Sequence, residues 1–237
     1  MNYVLVIDTE TTNSLEQPMP YDFGWGIVDI STGEIVRERS FVCAEIFLDK
    51  ELMSSAYFAE KIPNYWEDIK VGKRKLKTLL NIRKILWKDM KEFNCYKVGA
   101  YNMGFDKRAS RNDIRFVTGS FLRWFFPYKT EFFCIWHMAC TSILIDEKYI
   151  NYAIKNNFVS DSGNIQTSAE CAYRYLINDT TFDESHTGLE DVKIEVKIMM
   201  ACFNSHTKNM NDSIYSCCWQ KVHKKRKEME TTKKVTT

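Results

Sequence analysis

One run limits what this chain can become. Tyr3-Val4-Leu5-Val6-Ile7 is apolar at every position and is followed at once by Asp8-Thr9-Glu10. A short apolar run without alternation is the pattern of a strand buried on both faces. Residues two apart on an extended chain share a face, so Asp8 and Glu10 stand side by side at the strand's end. No basic residue lies nearby in sequence to neutralise them. Two close carboxylates are unfavourable unless one is protonated or a cation sits between them. A hard divalent cation with oxygen ligands resolves the conflict. An exposed turn over 9–13 is the alternative.

The rest of the chain can be ordered around that strand. Phe23, Trp25 and Ile27 alternate within a second strand at 21–29, and β-branched and aromatic residues mark a third at 35–42. Ser31-Thr32-Gly33-Glu34 between them reads as a tight turn, so the two are expected to form an antiparallel hairpin. Leu76, Leu79, Leu80, Leu86, Met90 and Phe93 fall on one helical stripe. Strands are expected again at 96–101 and 131–136, and helices at 168–177 and 187–203. Between 110 and 129, Phe121, Trp124, Phe125 and Phe126 are core or groove wall. This order gives an α/β fold, a mixed five-stranded sheet flanked by helices. One domain is expected over 1–205, followed by an extension over 206–237 whose basic end, from Lys221 onward, should fray.

Composition removes several classes. The chain has 237 residues and a formal charge of +2, enough for one sizeable core but not a polycation. Any attraction to a polyanion must come from local patches. Eight cysteines are present and none has C-x-x-C spacing, which speaks against a zinc site or a disulfide framework. No apolar stretch reaches the roughly 18 residues of a membrane span, and the N-terminal run lacks a basic leader. A reduced cytoplasmic setting with no membrane contact is the resulting expectation.

Two more elements carry chemistry. Val98-Gly99-Ala100-Tyr101-Asn102-Met103-Gly104-Phe105-Asp106 reads as a strand, a glycine-containing turn and an acid where a helix can begin. An acid there also suits the helix dipole, which is the plainer reading. In His186-Thr187-Gly188-Leu189-Glu190-Asp191, the T-x-x-E pattern of Thr187 and Glu190 predicts a capping box that starts a helix. The stripe Leu189, Val192, Val196, Met199, Met200 and Phe203 supports that helix. His186 then precedes the cap, and Asp191 tilts back from the first turn, so both can face one point. A histidine beside such a carboxylate can accept a proton from attacking water.

These three pieces together resemble the DEDDh exonuclease superfamily, whose fold is ribonuclease-H-like. The matching residues are Asp8-Thr9-Glu10-Thr11, then Asn102-x-x-Phe105-Asp106, then His186-x-x-x-x-Asp191, in the family's order. The likeness covers roughly 3–203. With Ala169-Glu170-x-x-Tyr173-Arg174-Tyr175-Leu176 ahead of the third motif, it is nearest to compact exonucleases encoded by bacteriophages. The resemblance implies metal-dependent 3′→5′ release of nucleoside 5′-monophosphates, with two divalent cations, Mg²⁺ or Mn²⁺, held by Asp8, Glu10, Asp106 and Asp191. It implies His186 as general base, and Thr9, Thr11, Asn102 and Phe105 beside the terminal nucleotide, although Phe105 also suits the core.

The implied partners are single-stranded DNA or RNA 3′ ends and, in a replication setting, a DNA polymerase. Lys107 and Arg108 follow Asp106 and are candidates to grip the strand. So are Lys73-Arg74-Lys75-x-Lys77 and Lys224-Lys225-Arg226-Lys227, although each run can equally be a solvated face. The competing readings are a catalytically silent nucleic-acid-binding or adaptor protein of the same fold, and a zinc hydrolase built on Cys and His.

Overall fold

The computed structural model describes residues 2–12, 17–205 and 217–235. Within them β1 (Tyr3–Thr12), β2 (Met19–Asp29), β3 (Ile35–Cys43), β4 (Lys75–Lys77), β5 (Lys97–Ala100) and β6 (Glu131–Cys134) form one sheet. The order is β4-β3-β2-β1-β5-β6, with β2 antiparallel to both neighbours and the other pairs parallel. Three short helices, α1 (Ala44–Phe47), α2 (Lys50–Met53) and α3 (Ile62–Lys70), precede the edge strand β4, and the longer α4 (Leu79–Glu92) follows it. Then come α5 (Met103–Thr118), α6 (Ile135–Thr141), α7 (Glu147–Lys155), α8 (Ala169–Ile177), α9 (Gly188–Asn204) and α10 (Trp219–Val235).

The first strand is central and, as its sequence predicts, buried on both faces. Leu5 and Ile7 join Phe23, Trp25 and Ile27 in a core closed by Leu79, Ile82, Leu86 and Met90 of α4. Val4 and Val6 point the other way, onto Val192, Ile198 and Met199 of α9. Each fully buried side chain of this size contributes roughly 1.5–3 kcal/mol. Two layers of helix thus clamp β1, and the even-numbered face that carries Val4 and Val6 also carries Asp8 and Glu10 toward α9.

The hairpin of β2 and β3 forms as expected, with Gly33 in its turn at φ +77°. Four expectations change. The sheet has six strands, because Lys75-Leu76-Lys77 pairs in parallel with β3. Three residues are too few to show a period, so Leu76 falls outside the helix stripe, which starts at Leu79, and Leu80 faces solvent at 41% exposure. The strand at 131–136 ends at Cys134, and Ile135 opens α6. Within the expected extension, Trp219–Val235 is helical rather than frayed, and 206–216 and 236–237 lie outside the described residues. Cys218 and Val222, four apart, are fully buried in the second core and hold one face of α10 down.

The basic run at 73–77 is partly structural. Arg74 is buried and ion-paired with Asp22 and Asp68, and Lys73 also reaches Asp68. All eight cysteines are free thiols and seven of them are buried. Among the described residues no helix is long and apolar enough to cross a membrane.

Candidate active site

The site is assembled where α9 lands on the sheet. Asp8 pairs with Gly24 across β1 and β2. A Cβ added at Gly24 would stand 2.1 Å from the Gly188 carbonyl carbon and 2.2 Å from the Leu189 nitrogen. At Gly188 an added Cβ would meet the Gly24 nitrogen at 2.7 Å and the Asp8 oxygen at 3.1 Å. Two glycines therefore let the first turn of α9 rest on the strand pair beside Asp8. The Gly188 N–H donates to Asp22 Oδ2 at 3.0 Å. That fully buried carboxylate also accepts from the Tyr65 hydroxyl at 2.7 Å and from Arg74 Nη1 at 2.9 Å. An oriented anion at a helix N-terminus satisfies an orphan N–H and suits the dipole.

The helix starts at Gly188, one residue after Thr187, but not through the expected capping box. Thr187 makes no side-chain cap, and its hydroxyl pairs with Ser185 at 3.0 Å. Glu190 is turned to solvent and binds Lys193 at 3.2 Å. The Thr187 N–H instead donates to Asp191 Oδ2 at 2.9 Å, and the Ser185 hydroxyl donates to Asp191 Oδ1 at 3.2 Å. Asp191 is thereby both cap and site residue. Asp106, in the first turn of α5, is held from the strand side, where Thr9 Oγ1 donates to its Oδ1 at 2.8 Å.

Asp8, Glu10, Asp106, Asp191 and His186 all line one cleft of about 650 Å³. Thr9, Thr11, Asn102 and Phe105 line it as well. Lys107 and Arg108 do not. Lys107 Nζ sits 4.2 Å from the centre of the Phe132 ring, in a different cavity, and the Arg108 guanidinium lies beside Phe105 at 5.7 Å.

Four further residues enter that sequence reasoning missed. Glu195 lies one turn beyond Asp191 on the same face of α9, and Glu184 precedes His186; both line the cleft. An acid inside the apolar stripe of α9, between Val192 and Val196, was the available signal for Glu195. Tyr57 and Phe58 reach the cleft from the loop after α2, which the Tyr57 N–H pins to the Thr11 carbonyl at 3.2 Å. Nothing local in sequence marks that contact.

The electrostatics are those of crowded, dehydrated carboxylates. Burial, and then the neighbouring Glu195, Glu10, Asp106 and Asp191, raise the Asp8 carboxyl well above its ordinary range. Burial and Asp191 do the same to Glu10. Burial lifts Asp106 to about 7 despite the Thr9 hydroxyl, and Asp191 to about 7 despite Ser185 and Thr187. Glu184 rises to about 8 by burial and the nearby Asp191. Asp8 Oδ2 and Glu195 Oε2 are buried with no hydrogen-bond partner among the described residues. One ligand atom each from Glu10, His186 and Asp191 lie within 4.8 Å of one another. The carboxylates of Asp8, Glu10, Asp106 and Asp191, with Asp8 Oδ2 unpartnered among the described residues, offer the oxygen ligands that suit hard divalent cations.

His186 takes a left-handed backbone conformation, φ +51°, and its ring lies flat on Phe58 with centroids 3.9 Å apart and planes within 10°. Burial holds its pKa below the usual histidine value. The imidazole is therefore neutral, and able to accept a proton, through the neutral pH range.

No protein-family model matches the chain, and no curated protein does. Solved structures do match. The nuclease domain of 3′hExo, a DEDDh family member bound to rAMP, superposes with TM-score 0.55 at 17% identity, over 86% of this chain and 92% of that one. The chain shares the ribonuclease-H-like fold of that domain. A 3′-exonuclease solved for 3′-end-specific recognition of a histone mRNA stem-loop gives TM-score 0.57 at 15% identity, over 86% and 82% of the two chains. Exonuclease I of E. coli in complex with a dT13 oligonucleotide gives 0.52 at 14%, over 88% of this chain but 42% of that longer one. The C-terminal half of β1 and the starts of α5 and α9 meet in the one cleft, beside a central strand of the sheet.

Proposed function

We propose that this protein is a 3′→5′ exonuclease that releases nucleoside 5′-monophosphates from single-stranded DNA or from primer 3′ ends such as a DNA polymerase leaves, with short RNA as the alternative substrate. The observation that carries the proposal is the meeting of Asp8, Glu10, Asp106, Asp191 and His186, far apart in sequence, in one cleft. The fold shared with 3′ exonucleases captured with a nucleotide and with single-stranded DNA supports it. All of these residues lie within 1–205, and we assign catalysis to that part of the chain.

The four carboxylates would hold two divalent cations, Mg²⁺ or Mn²⁺, which when bound supply Lewis-acid activation and neutralise charge on the phosphate. The protein's own residues do the rest. His186, kept neutral by burial and set in plane by Phe58, accepts the proton of the attacking water. Thr9 fixes Asp106, and Ser185 with the Thr187 N–H fixes Asp191, so the carboxylates need little reorganisation. Thr11, Asn102 and Phe105 line the cleft where the terminal nucleotide would lie.

The test is a 5′-labelled single-stranded DNA oligonucleotide and its RNA equivalent, incubated with Mg²⁺, Mn²⁺ or EDTA. A metal-dependent ladder shortening from the 3′ end is expected, and the faster ladder identifies the sugar. Intact strands with folded protein and either metal would leave a catalytically silent binding protein of this fold.

A further inference from the structure

A second cavity, of about 490 Å³, lies against α5 on the side away from the cleft and is walled by α4 and the 122–130 segment. Helix α5 is the wall between the two. Phe105 and Asp106 line the first, whereas Lys107 and Arg111, the next residue and the one a turn further, line the second. Arg83, Arg123 and Lys129 complete a set of five cations around this cavity, and among the described residues no carboxylate lines it. Among the described residues none of the five is ion-paired with a carboxylate. In a chain whose formal charge is only +2, that is a strong local concentration of positive charge.

Aromatic rings alternate with these cations. Arg83 lies over Trp87 at 3.9 Å, Arg111 over Trp124 at 4.5 Å and Lys107 over Phe132 at 4.2 Å. Tyr128 is 88% exposed and Trp124 51%, large rings left facing water. They stand on a fixed base. Phe125 and Phe126 are buried in the core, Arg83 Nε donates to the Trp124 carbonyl at 2.7 Å, and Trp87 Nε1 donates to the Phe125 carbonyl at 2.7 Å.

The geometry points to a second, non-catalytic binding surface for single-stranded nucleic acid, in which the cations take the phosphates and Trp124 and Tyr128 stack on bases. A basic track with interleaved exposed rings is the combination such strands require, and an acidic peptide would leave the rings without use. The surface stands on its own residues, so it does not depend on the cleft being catalytic. If the exonuclease reading holds, it lengthens the hold on long strands while leaving the chemistry alone.

The test uses the full chain in EDTA and a fluorescein-labelled oligothymidylate of about 30 nucleotides, long enough to reach past the cleft. Arg123→Glu with Tyr128→Ala alters two exposed side chains outside the core. The double variant should bind at least about tenfold more weakly, as loss of a stacking ring predicts. It should also lose about 0.7 or more from the slope of log affinity against log salt. Cleavage of a dinucleotide, where the wild type cleaves one, should be unchanged. Binding within about twofold of wild type would overturn the proposal. So would equal wild-type affinity for an abasic strand of the same length. Failure of cleavage with binding lost as expected would count against the exonuclease reading alone.

Discussion

Gly24→Ala tests whether the site depends on the contact between β2 and α9. The added methyl would lie 2.1 Å from one backbone atom of Gly188 and 2.2 Å from one of Leu189, where ordinary contact begins at 3.4 Å. Backbone cannot rotate away as a side chain can, so the first turn of α9 must rise by at least about 1 Å. Asp191 and His186 ride on that turn and its approach, and their ligand atoms now lie within 4.8 Å of a Glu10 oxygen. A misplacement of about 1 Å in a catalytic constellation costs about 10²-fold in rate. Overpacking should also cost about 1–3 kcal/mol of stability, or roughly 2–12 °C in Tm for a chain of this size. The control is Gly26→Ala, whose methyl would meet the Ile35 side chain at 3.0 Å and the Val192 side chain at 3.3 Å, both able to shift. Measured by initial rates on a labelled oligonucleotide and by thermal unfolding, Gly24→Ala should lose about 10²-fold in kcat/KM and Gly26→Ala less than about tenfold. Equal effects from the two, or a Gly24→Ala enzyme at more than half the wild-type rate, would mean that the site does not depend on this close approach of β2 and α9.

Other perturbations have defined outcomes. His186→Ala should fold and bind metal yet lose about 10²–10⁴ in rate; wild-type activity falls in acid, with its midpoint below the ordinary histidine value because burial lowers the pKa. In the metal-free protein, Asp106 and Asp191 are raised to about 7 and Glu184 to about 8, so the native state binds more protons than the unfolded chain. Stability is then full below about pH 4 as far as these groups are concerned, falls as pH rises toward 8, and is restored by Mg²⁺ or Mn²⁺; a Tm that rises with pH across this window without metal would contradict it. Arg74→Met strips the buried Asp22 of its countercharge and should cost about 3–5 kcal/mol in denaturant unfolding.

The parts of the fold that were legible in sequence are those written in local pattern. The unbroken apolar run of β1, the alternation of Phe23, Trp25 and Ile27, and the stripe of α9 each state their own environment, and all three face the two cores as expected. The three motifs could be placed because the first ends the apolar run of β1, the second follows β5 and the third opens α9. What could not be read depends on contacts between distant segments. Asp22 and Arg74 look like ordinary surface charges until Tyr65 and Gly188 close around them. Glu190 fits a capping pattern, yet Asp191 takes that position, accepting from the Thr187 N–H and the Ser185 hydroxyl. Phe58 has no signal at all, since its stacking on His186 depends on how the loop after α2 crosses the end of β1. Lys107 follows Asp106 in sequence, but a single step along a helix turns it toward the other cavity.

The most direct test measures Mn²⁺ binding and 3′-end hydrolysis on the same preparations of wild type and Asp8→Asn, a change that keeps shape and removes charge. Wild type should bind Mn²⁺ and shorten a 5′-labelled strand from its 3′ end, and the folded variant should lose both together. Hydrolysis by Asp8→Asn at the wild-type rate, or loss of nucleotides from the 5′ end in wild type, would contradict the metal-dependent 3′→5′ exonuclease reading.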